Sequence, residues 1–413
     1  MIKFKKALCG MAAIGLTAGI VHAAPVKVAI LETLSGPQAS TGLAYRSAVW
    51  YAIEKINAGG GWNNEPVQLL EYDNQGGPTG AATKLKSAIS DGAQIIVQAA
   101  SSSIAGQITE DVRKYNLRNP GKEVVFINLG AGAGELTGEK CNFYHFRFSG
   151  NAMVQTKALV MAMKESNVLG DRVYAINQNY SWGQDMEKAI VSFSDLGGYN
   201  VVAKTLHDTN KIQDFSPYVA KISAANADTV LTGNWSNDLL LLMKASKASG
   251  LKARFGALYL DQPGNLANAG DAALGHYVSH TFNGDAGDAA SKQFMADYTS
   301  KIGHDPVFIE PQAVWGMAMV ADALKRVQPE NGVLNVNTLA KALETSKIQA
   351  PMGEMYMRAA DHQVQLPIVV STVSKDAQIK VDGTDMGFKR VRVFSAKEVS
   401  TPAQSSCKMK RPS

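Results

Sequence analysis

The sequence predicts an α/β protein made of two doubly wound parallel-sheet lobes, and three observations carry that prediction. Its 413 residues exceed what one hydrophobic core usually organises. Short β-branched runs alternate with helical apolar patterns through two successive series. The alternation then stops, and the remaining segments are too few for a third lobe, so the chain must return to complete the first two.

In the first series Val26 to Leu31, Val67 to Tyr72, Ile95 to Ala99 and Val124 to Leu129 read as strands. Between them Tyr45, Val49, Ala52, Ile53 and Ile56 keep one helix face, stopped by Asn57 and Gly59 to Gly61. Ala81, Leu85, Ala88 and Ile89 keep another. In the second series Val173 to Asn177, Val201 to Leu206, Thr229 to Leu231 and Phe255 to Leu260 are strands, with helices near Met153 to Glu165, Gln184 to Leu196 and Asp238 to Ser249. Ala273 to Thr281 reads as a further strand. Ser291 to Ile302 and Val314 to Arg326 are amphipathic helices, followed by a helix at Val336 to Lys347 and strand-like segments around Met355 and Val364 to Val370.

Crossings between lobes are expected at Phe148-Ser149, Thr281-Phe282 and Leu366-Pro367. They assign residues 24–148 and 282–365 to lobe 1, 149–281 and 366–395 to lobe 2, and leave 396–413 as a surface tail.

Lys3, Lys5 and Lys6 precede an uncharged run from Ala7 to Ile20, and Val21-His22-Ala23 supplies a small-residue cleavage site. Residues 1–23 are therefore expected to be a secretory signal peptide, cut after Ala23, and the mature protein to be soluble and exported. Cys9 follows Lys6-Ala7-Leu8, which is not a lipobox, so no lipid anchor is expected. Without residues 1–23 the chain carries 38 basic and 36 acidic residues, a formal charge of +2 that implies no nucleic-acid partner. Cys141 and Cys407 are then the only cysteines; in an oxidising compartment the pair suggests one disulfide, with two buried thiols as the alternative.

Several motifs fail on inspection. Gly130 to Gly134 reads GAGAG after a strand, but Glu135 stands where a dinucleotide fingerprint needs its third glycine. Gly121-Lys122-Glu123 lacks the P-loop pattern, and Asn179-Tyr180-Ser181-Trp182-Gly183 has Asn179 where a nucleophile elbow needs glycine. His276 and His280 have helical metal-pair spacing, yet on a strand they stand about 13 Å apart, too far to share an ion. No metal or cofactor is expected.

What remains is a set of loops at the carboxyl ends of strands, where open α/β sheets bind ligands. Ser101 to Ser103 and Gly130 to Gly132 belong to one lobe; Asn177 to Trp182, Gly233 to Trp235 and Asp261 belong to the other. Hydroxyls and free helix N–H groups suit an anion, although a serine there can equally be an N-cap. Asp261 suits an ammonium, although Asp261-Gln262-Pro263-Gly264 is also a strong turn composition. Trp182 and Trp235 suit an apolar side chain.

These residues, together with VKVAILETLSGPQASTG (Val26 to Gly42), AIEKINAGGG (Ala52 to Gly61), YDNQGGP (Tyr72 to Pro78), AASSSIA (Ala99 to Ala105), NLGAGAGELTG (Asn128 to Gly138) and YSWGQD (Tyr180 to Asp185), resemble the periplasmic substrate-binding proteins of branched-chain amino acid ABC transporters, relatives of the Leu/Ile/Val-binding protein. The resemblance spans nearly all of the mature chain and implies a type I periplasmic-binding-protein fold with a three-crossover hinge, no catalysis, and delivery of an aliphatic amino acid to an inner-membrane permease by a monomer. It also implies that Ser101, Ala100, Gly130, Ala131 and Gly132 meet the ligand carboxylate, that Asp261 meets its ammonium, and that Trp182, Asn234 and Trp235 close from lobe 2. Thr41 stands at an aromatic position of that family and Gly132 at a threonine position, which implies a roomier pocket. Gly76 and Ala100 replace one disulfide pair, while Cys141 and Cys407 resemble a subgroup with a tail disulfide. Aromatic carboxylates, short amides or urea are alternative ligands, and a sensor of the same fold or an exported serine hydrolase are alternative roles.

Overall fold

In the computed structural model, which describes residues 23–286, 288–306 and 309–412, the strands collect into two sheets. The expected signal peptide, apart from Ala23, lies outside the described residues. The first sheet starts with β1 (Lys27–Glu32), β2 (Gln68–Asp73), β3 (Ile95–Gln98), β4 (Val125–Asn128) and β5 (His145–Arg147). The second starts with β6 (Arg172–Gln178), β7 (Asn200–His207), β8 (Thr229–Thr232), β9 (Arg254–Ala257) and β10 (Tyr277–His280). Later, β11 (Lys347–Ala350), β12 (Gly353–Arg358) and β13 (Gln363–Gln365) join the first sheet, while β14 (Ile368–Ser374) and β15 (Gly387–Phe394) join the second. The strand orders are β11-β12-β13-β5-β4-β3-β1-β2 and β15-β14-β10-β9-β8-β6-β7.

β3, β4 and β8 are buried at every residue, and β1 at all but its first, because helices cover both faces of the parallel core. Helix Ala39–Ala58 buries Tyr45, Val49, Ala52 and Ile53 and packs on helix Glu310–Lys325, which places Thr41 and Tyr45 beside the carboxyl end of β1. The sheets are parallel at their centres and antiparallel at one side: β12 pairs antiparallel with β11 and β13, and β14 with β10 and β15. The parallel sheets expected from strand-helix alternation form the centres, and the antiparallel edges come in addition. Only Pro351 and Met352 separate β11 from β12, too short a link for a parallel crossover, so a hairpin is the outcome. The helix expected over Gln184 to Leu196 is two, Ser181–Ser192 and Ser194–Gly197, and the one from Val336 ends at Leu343.

The chain passes from the first sheet to the second between β5 and helix Ala152–Glu165, which packs on β10 and β14. It returns after β10 into helix Ala289–Ile302, packed on helix Ala39–Ala58, and passes over again through Leu366-Pro367 between β13 and β14.

The terminal segment, expected to be a surface tail, is tied to both sheets. Lys157 on the second sheet's helix donates to the carbonyl of Glu398 at 2.8 Å, while Arg358 of β12 donates to that of Thr401 at 2.6 Å. Gln404 then donates to Gly134 O at 2.7 Å, and Cys407 is disulfide-bonded to Cys141 with Cα atoms 5.5 Å apart.

Candidate functional site

The carboxyl ends of β1, β3 and β4 face those of β6, β8 and β9 across a narrow waist of about 30 Å³. Thr41, Tyr45, Ala99 to Ser102, Gly130 to Gly132 and Ile309 line one wall; Tyr180, Trp182, Trp235 and Tyr259 line the other. Two wider troughs flank it, of about 500 Å³ on the side of Thr41 and Asp261 and about 460 Å³ on the side of Ser101 and Tyr180.

On the first wall Ser101 has φ +77° and ψ +117°, a conformation that costs a non-glycine residue about 1–3 kcal/mol and concentrates at functional sites. It precedes helix Ser102–Arg118, whose N–H groups at Ser102, Ser103 and Ile104 have no acceptor within the helix, the first intrahelical bond running from Ala105 N–H to Ser101 O at 3.1 Å. No serine caps that helix, as N-capping would have had them do. Ser101 and Ser103 share a hydroxyl hydrogen bond of 2.8 Å, and Ser102 Oγ accepts the Ala133 N–H at 3.1 Å, tying this turn to the glycine loop.

Within that loop Asn128 Oδ1 accepts the N–H groups of Gly130 and Ala131, at 3.1 and 2.8 Å. Gly132, which lines the waist, has no protein acceptor for its N–H among the described residues. The N–H of Ala100 is likewise engaged, donating to Glu32 Oε1 at 3.1 Å. Glu32 closes β1, is wholly buried and also takes the N–H of Ala99; burial pushes its carboxyl up to about 8.

The glycines do not make the waist roomier. A Cβ on Gly130 would lie 2.1 Å from Tyr45 Oη, and one on Gly132 would lie 2.5 Å from Trp182 Cζ3. Aromatic rings occupy the volume that the missing side chains release.

The second wall is built of rings fixed by their polar atoms. Trp182 Nε1 donates to Gly233 O at 2.8 Å and Trp235 Nε1 to Tyr180 Oη at 2.7 Å. Burial holds the phenols of Tyr45, Tyr180 and Tyr259 well above the ordinary range, so they stay protonated and able to donate. Asn234 does not join this wall. Its Oδ1 lies 3.1 Å from His207 Nε2 behind the rings, because its N–H is anchored on Thr232 Oγ1. Asp261 lines the trough beside the waist rather than the waist itself, its Oδ2 held 2.9 Å from His280 Nδ1. Direct contacts join the walls: Gly134 N–H donates to Asp185 Oδ2 at 2.6 Å, and Ser236 Oγ to Pro37 O at 3.5 Å.

Sequence reasoning missed Glu32, Tyr45, Tyr259 and Ile309, and placed Tyr180 in a cleft loop without giving it a role. The acid that ends the apolar run Val28 to Leu31 was the signal available for Glu32. Among the described residues no cluster of three or more metal-ligating side chains occurs, and no helix is long and apolar enough to cross a membrane.

A family model described as periplasmic binding protein matches residues 25–378. Over 390 residues, 94% of each chain, the sequence is 59% identical to the Leu/Ile/Val-binding protein homolog 4 of Brucella abortus (strain 2308). At 27% identity over 283 residues, 67% of this chain and 72% of the relative, it is similar to the leucine-specific-binding protein of Salmonella typhimurium. Among solved structures, the leucine-, isoleucine-, valine-, threonine- and alanine-binding protein of Brucella ovis, in a closed conformation, superposes with a TM-score of 0.90 at 59% identity, covering 94% of this chain and 100% of that one. A solute-binding protein of Rhodopseudomonas palustris BisB5 in complex with 3,4-dihydroxybenzoic acid shares the fold alone, at 21% identity and a TM-score of 0.76, covering 90% and 98%.

Proposed function

This chain belongs to the periplasmic binding protein family, and from that premise we propose that it closes its two lobes on a small aliphatic amino acid, most readily a branched-chain one. It is a solute-binding protein and not an enzyme. Membership implies a periplasmic protein working with an ABC transporter; in our reading it is exported with cleavage near Ala23, acts as a monomer and hands its ligand to an inner-membrane permease.

The observation that carries the ligand class is the composition of the waist. The unengaged Gly132 N–H, the Ser101 hydroxyl and the first turn of helix Ser102–Arg118 offer donors to a carboxylate, while Trp182 and Trp235 offer apolar faces opposite. Asp261, one compartment away and contiguous through Thr41, is the partner for an ammonium group. Ala100, Gly130 and Ala131 contribute shape rather than donors, since their N–H groups are engaged. The narrow waist supports a short aliphatic side chain over an aromatic ring. Lobe 1 is residues 24–148 and 282–365, and lobe 2 residues 149–281 and 366–395, with hinge closure bringing the walls together.

Calorimetry on protein unfolded, stripped of co-purified ligand and refolded tests this, with leucine, isoleucine, valine, alanine and threonine against benzoate, 4-hydroxybenzoate, acetamide and urea. Micromolar affinity, about 8 kcal/mol, is expected for at least one aliphatic amino acid. Failure of every α-amino acid to bind more tightly than millimolar overturns it.

A further inference from the structure

We propose that Asn283, Ser371 and His280 form a positioning relay that aims the Asp261 carboxylate at the ligand's ammonium group. The inference rests on the amino acid reading above and adds the residues that set the acid's direction.

The relay is assembled by the second sheet. In the antiparallel β10–β14 pair Val278 stands opposite Ser371, and His280, two residues on, projects to the same face. His280 Nε2 accordingly lies 2.7 Å from Ser371 Oγ, and its Nδ1 lies 2.9 Å from Asp261 Oδ2. Asn283 Nδ2 reaches Ser371 Oγ at 2.7 Å and Phe388 O at 2.8 Å. Asp261, His280, Asn283 and Ser371 are all at least nine-tenths buried.

The direction of every bond follows from its first member. Asn283 Oδ1 accepts the N–H of Asp285 at 2.7 Å, so its amide nitrogen is the end that faces Ser371 and can only donate. Ser371 Oγ accepts that bond, and among the described residues its own proton has no acceptor but His280 Nε2, so it donates there. With Nε2 accepting, the neutral imidazole carries its proton on Nδ1 and donates it to Asp261 Oδ2. One carboxylate oxygen is thereby held, and Oδ1, which has no hydrogen bond among the described residues, is free for the cleft. The Ser–His–Asp order is that of a hydrolase, but Ser371 is wholly buried inside the sheet and already accepts a donor, so the chain of bonds serves orientation and not nucleophilic attack.

Two measurements test the relay. Imidazole 15N NMR on the ligand-free protein is expected to find the His280 proton on Nδ1 with Nε2 accepting, and to find the hydrogen-bond shift at Nε2 lost in Ser371→Ala while Nδ1, still facing the carboxylate, keeps its proton. Calorimetry then compares leucine with 4-methylpentanoate, which lacks the amine. Ser371→Ala and His280→Gln are expected to weaken leucine by about tenfold, with a change of no more than about twofold for 4-methylpentanoate. His280→Asn, whose Nδ2 takes the place of Nδ1, restores most of what His280→Gln loses. Thermal melts establish that each variant is folded.

An Nε2-protonated ring in the wild type overturns the relay whatever the ligand. Equal losses for the two ligands, or a loss in His280→Asn matching that in His280→Gln, overturn its aim. If Asp261→Asn loses leucine selectively while the His280 and Ser371 variants do not, the relay fails and the amino acid reading stands. Nδ1 protonation in a protein that binds no amino acid fails both the ligand reading and the aim, and leaves only a structural hydrogen-bond chain.

Discussion

The turn from β3 into helix Ser102–Arg118 and the turn from β8 into helix Asn237–Ser249 are counterparts, and they spend the same backbone in opposite ways. Each places a serine of positive φ before its helix, Ser101 at +77° and Ser236 at +56°, and neither serine caps it through its side chain. In the second turn three backbone donors of the loop are consumed by side chains: Gly233 N–H goes to Asn177 Oδ1 at 2.8 Å, Asn234 N–H to Thr232 Oγ1 at 3.0 Å and Ser236 N–H to Gln262 Oε1 at 2.6 Å. In the first, Glu32 and Asn128 hold the approach, and the Ser101 hydroxyl and Gly132 N–H are left at the waist. One turn is left reactive toward an anion; the other is a rigid mount for two indoles. The lesson is that a strained N-terminal serine marks a site only when its neighbours leave donors over.

The largest effect expected from breaking this contrast comes at Gly132. In Gly132→Ala the added methyl meets Trp182, so closure is obstructed while the ligand-free lobes are untouched. Overpacking of this kind costs about 1–3 kcal/mol, and calorimetry is expected to show affinity lower by roughly 50-fold with an unchanged melting temperature of the ligand-free protein. Next are the paired variants Ser101→Gly and Ser236→Gly. Both relieve an unfavourable φ and are expected to raise stability by about 1 kcal/mol in chemical denaturation. Only Ser101→Gly also removes a ligand hydrogen bond, weakening binding by about tenfold, whereas Ser236→Gly stays within about twofold. Equal affinity losses at the two positions would erase the distinction between the turns.

The two turns also differ in their response to pH, because the first leans on a buried acid and the second on the amide of Asn177. With the Glu32 carboxyl pushed up to about 8 from an ordinary 4.5, the folded chain retains a proton that the unfolded chain releases across that interval. Glu32 therefore contributes stability that is lost as pH rises from about 4.5 to about 8. His145 and His276, pushed down by burial to about 3 and about 4, act with the opposite sign, so the difference between wild-type and Glu32→Gln melting curves isolates the acid. That difference is expected to grow by several degrees in favour of Glu32→Gln between pH 5 and pH 8; a constant offset would contradict it. The smallest effect is at Asp185, where Asp185→Asn keeps an acceptor for Gly134 N–H but loses its charge. A two- to threefold weaker affinity and a slightly larger ligand-bound radius in solution scattering are expected.

Much of this was legible in the sequence because buried parallel strands announce themselves. Val28 to Leu31, Ile95 to Val97 and Val125 to Ile127 are unbroken apolar runs, and the loops after them held Ser101 and Gly132. After Thr281 the alternation stops, and the later strands join the two existing sheets. The antiparallel edges were not legible: β15 reads GFKRVRVF, a half-exposed alternation lost among charges. Site detail escaped for a different reason. Whether a loop N–H is available depends on a side chain such as Asn128 folding back onto it, and no periodicity records that. Likewise Asp261, His280 and Ser371 lie 19 and 91 residues apart in succession, so their association is visible only once β10 and β14 pair.

The contact between Gly132 and Trp182 bears on the order of events in time. If the lobes open as proposed, an arriving ligand finds on the first one a backbone amide and a hydroxyl, groups that respond to a carboxylate and are indifferent to what else the ligand carries. Under the proposed hinge closure, the ring that fills the space beside Gly132 arrives only with the second lobe. Chemically related ligands are then captured at similar rates and told apart by how long they stay, so that selectivity resides in dissociation and association is nearly blind to it.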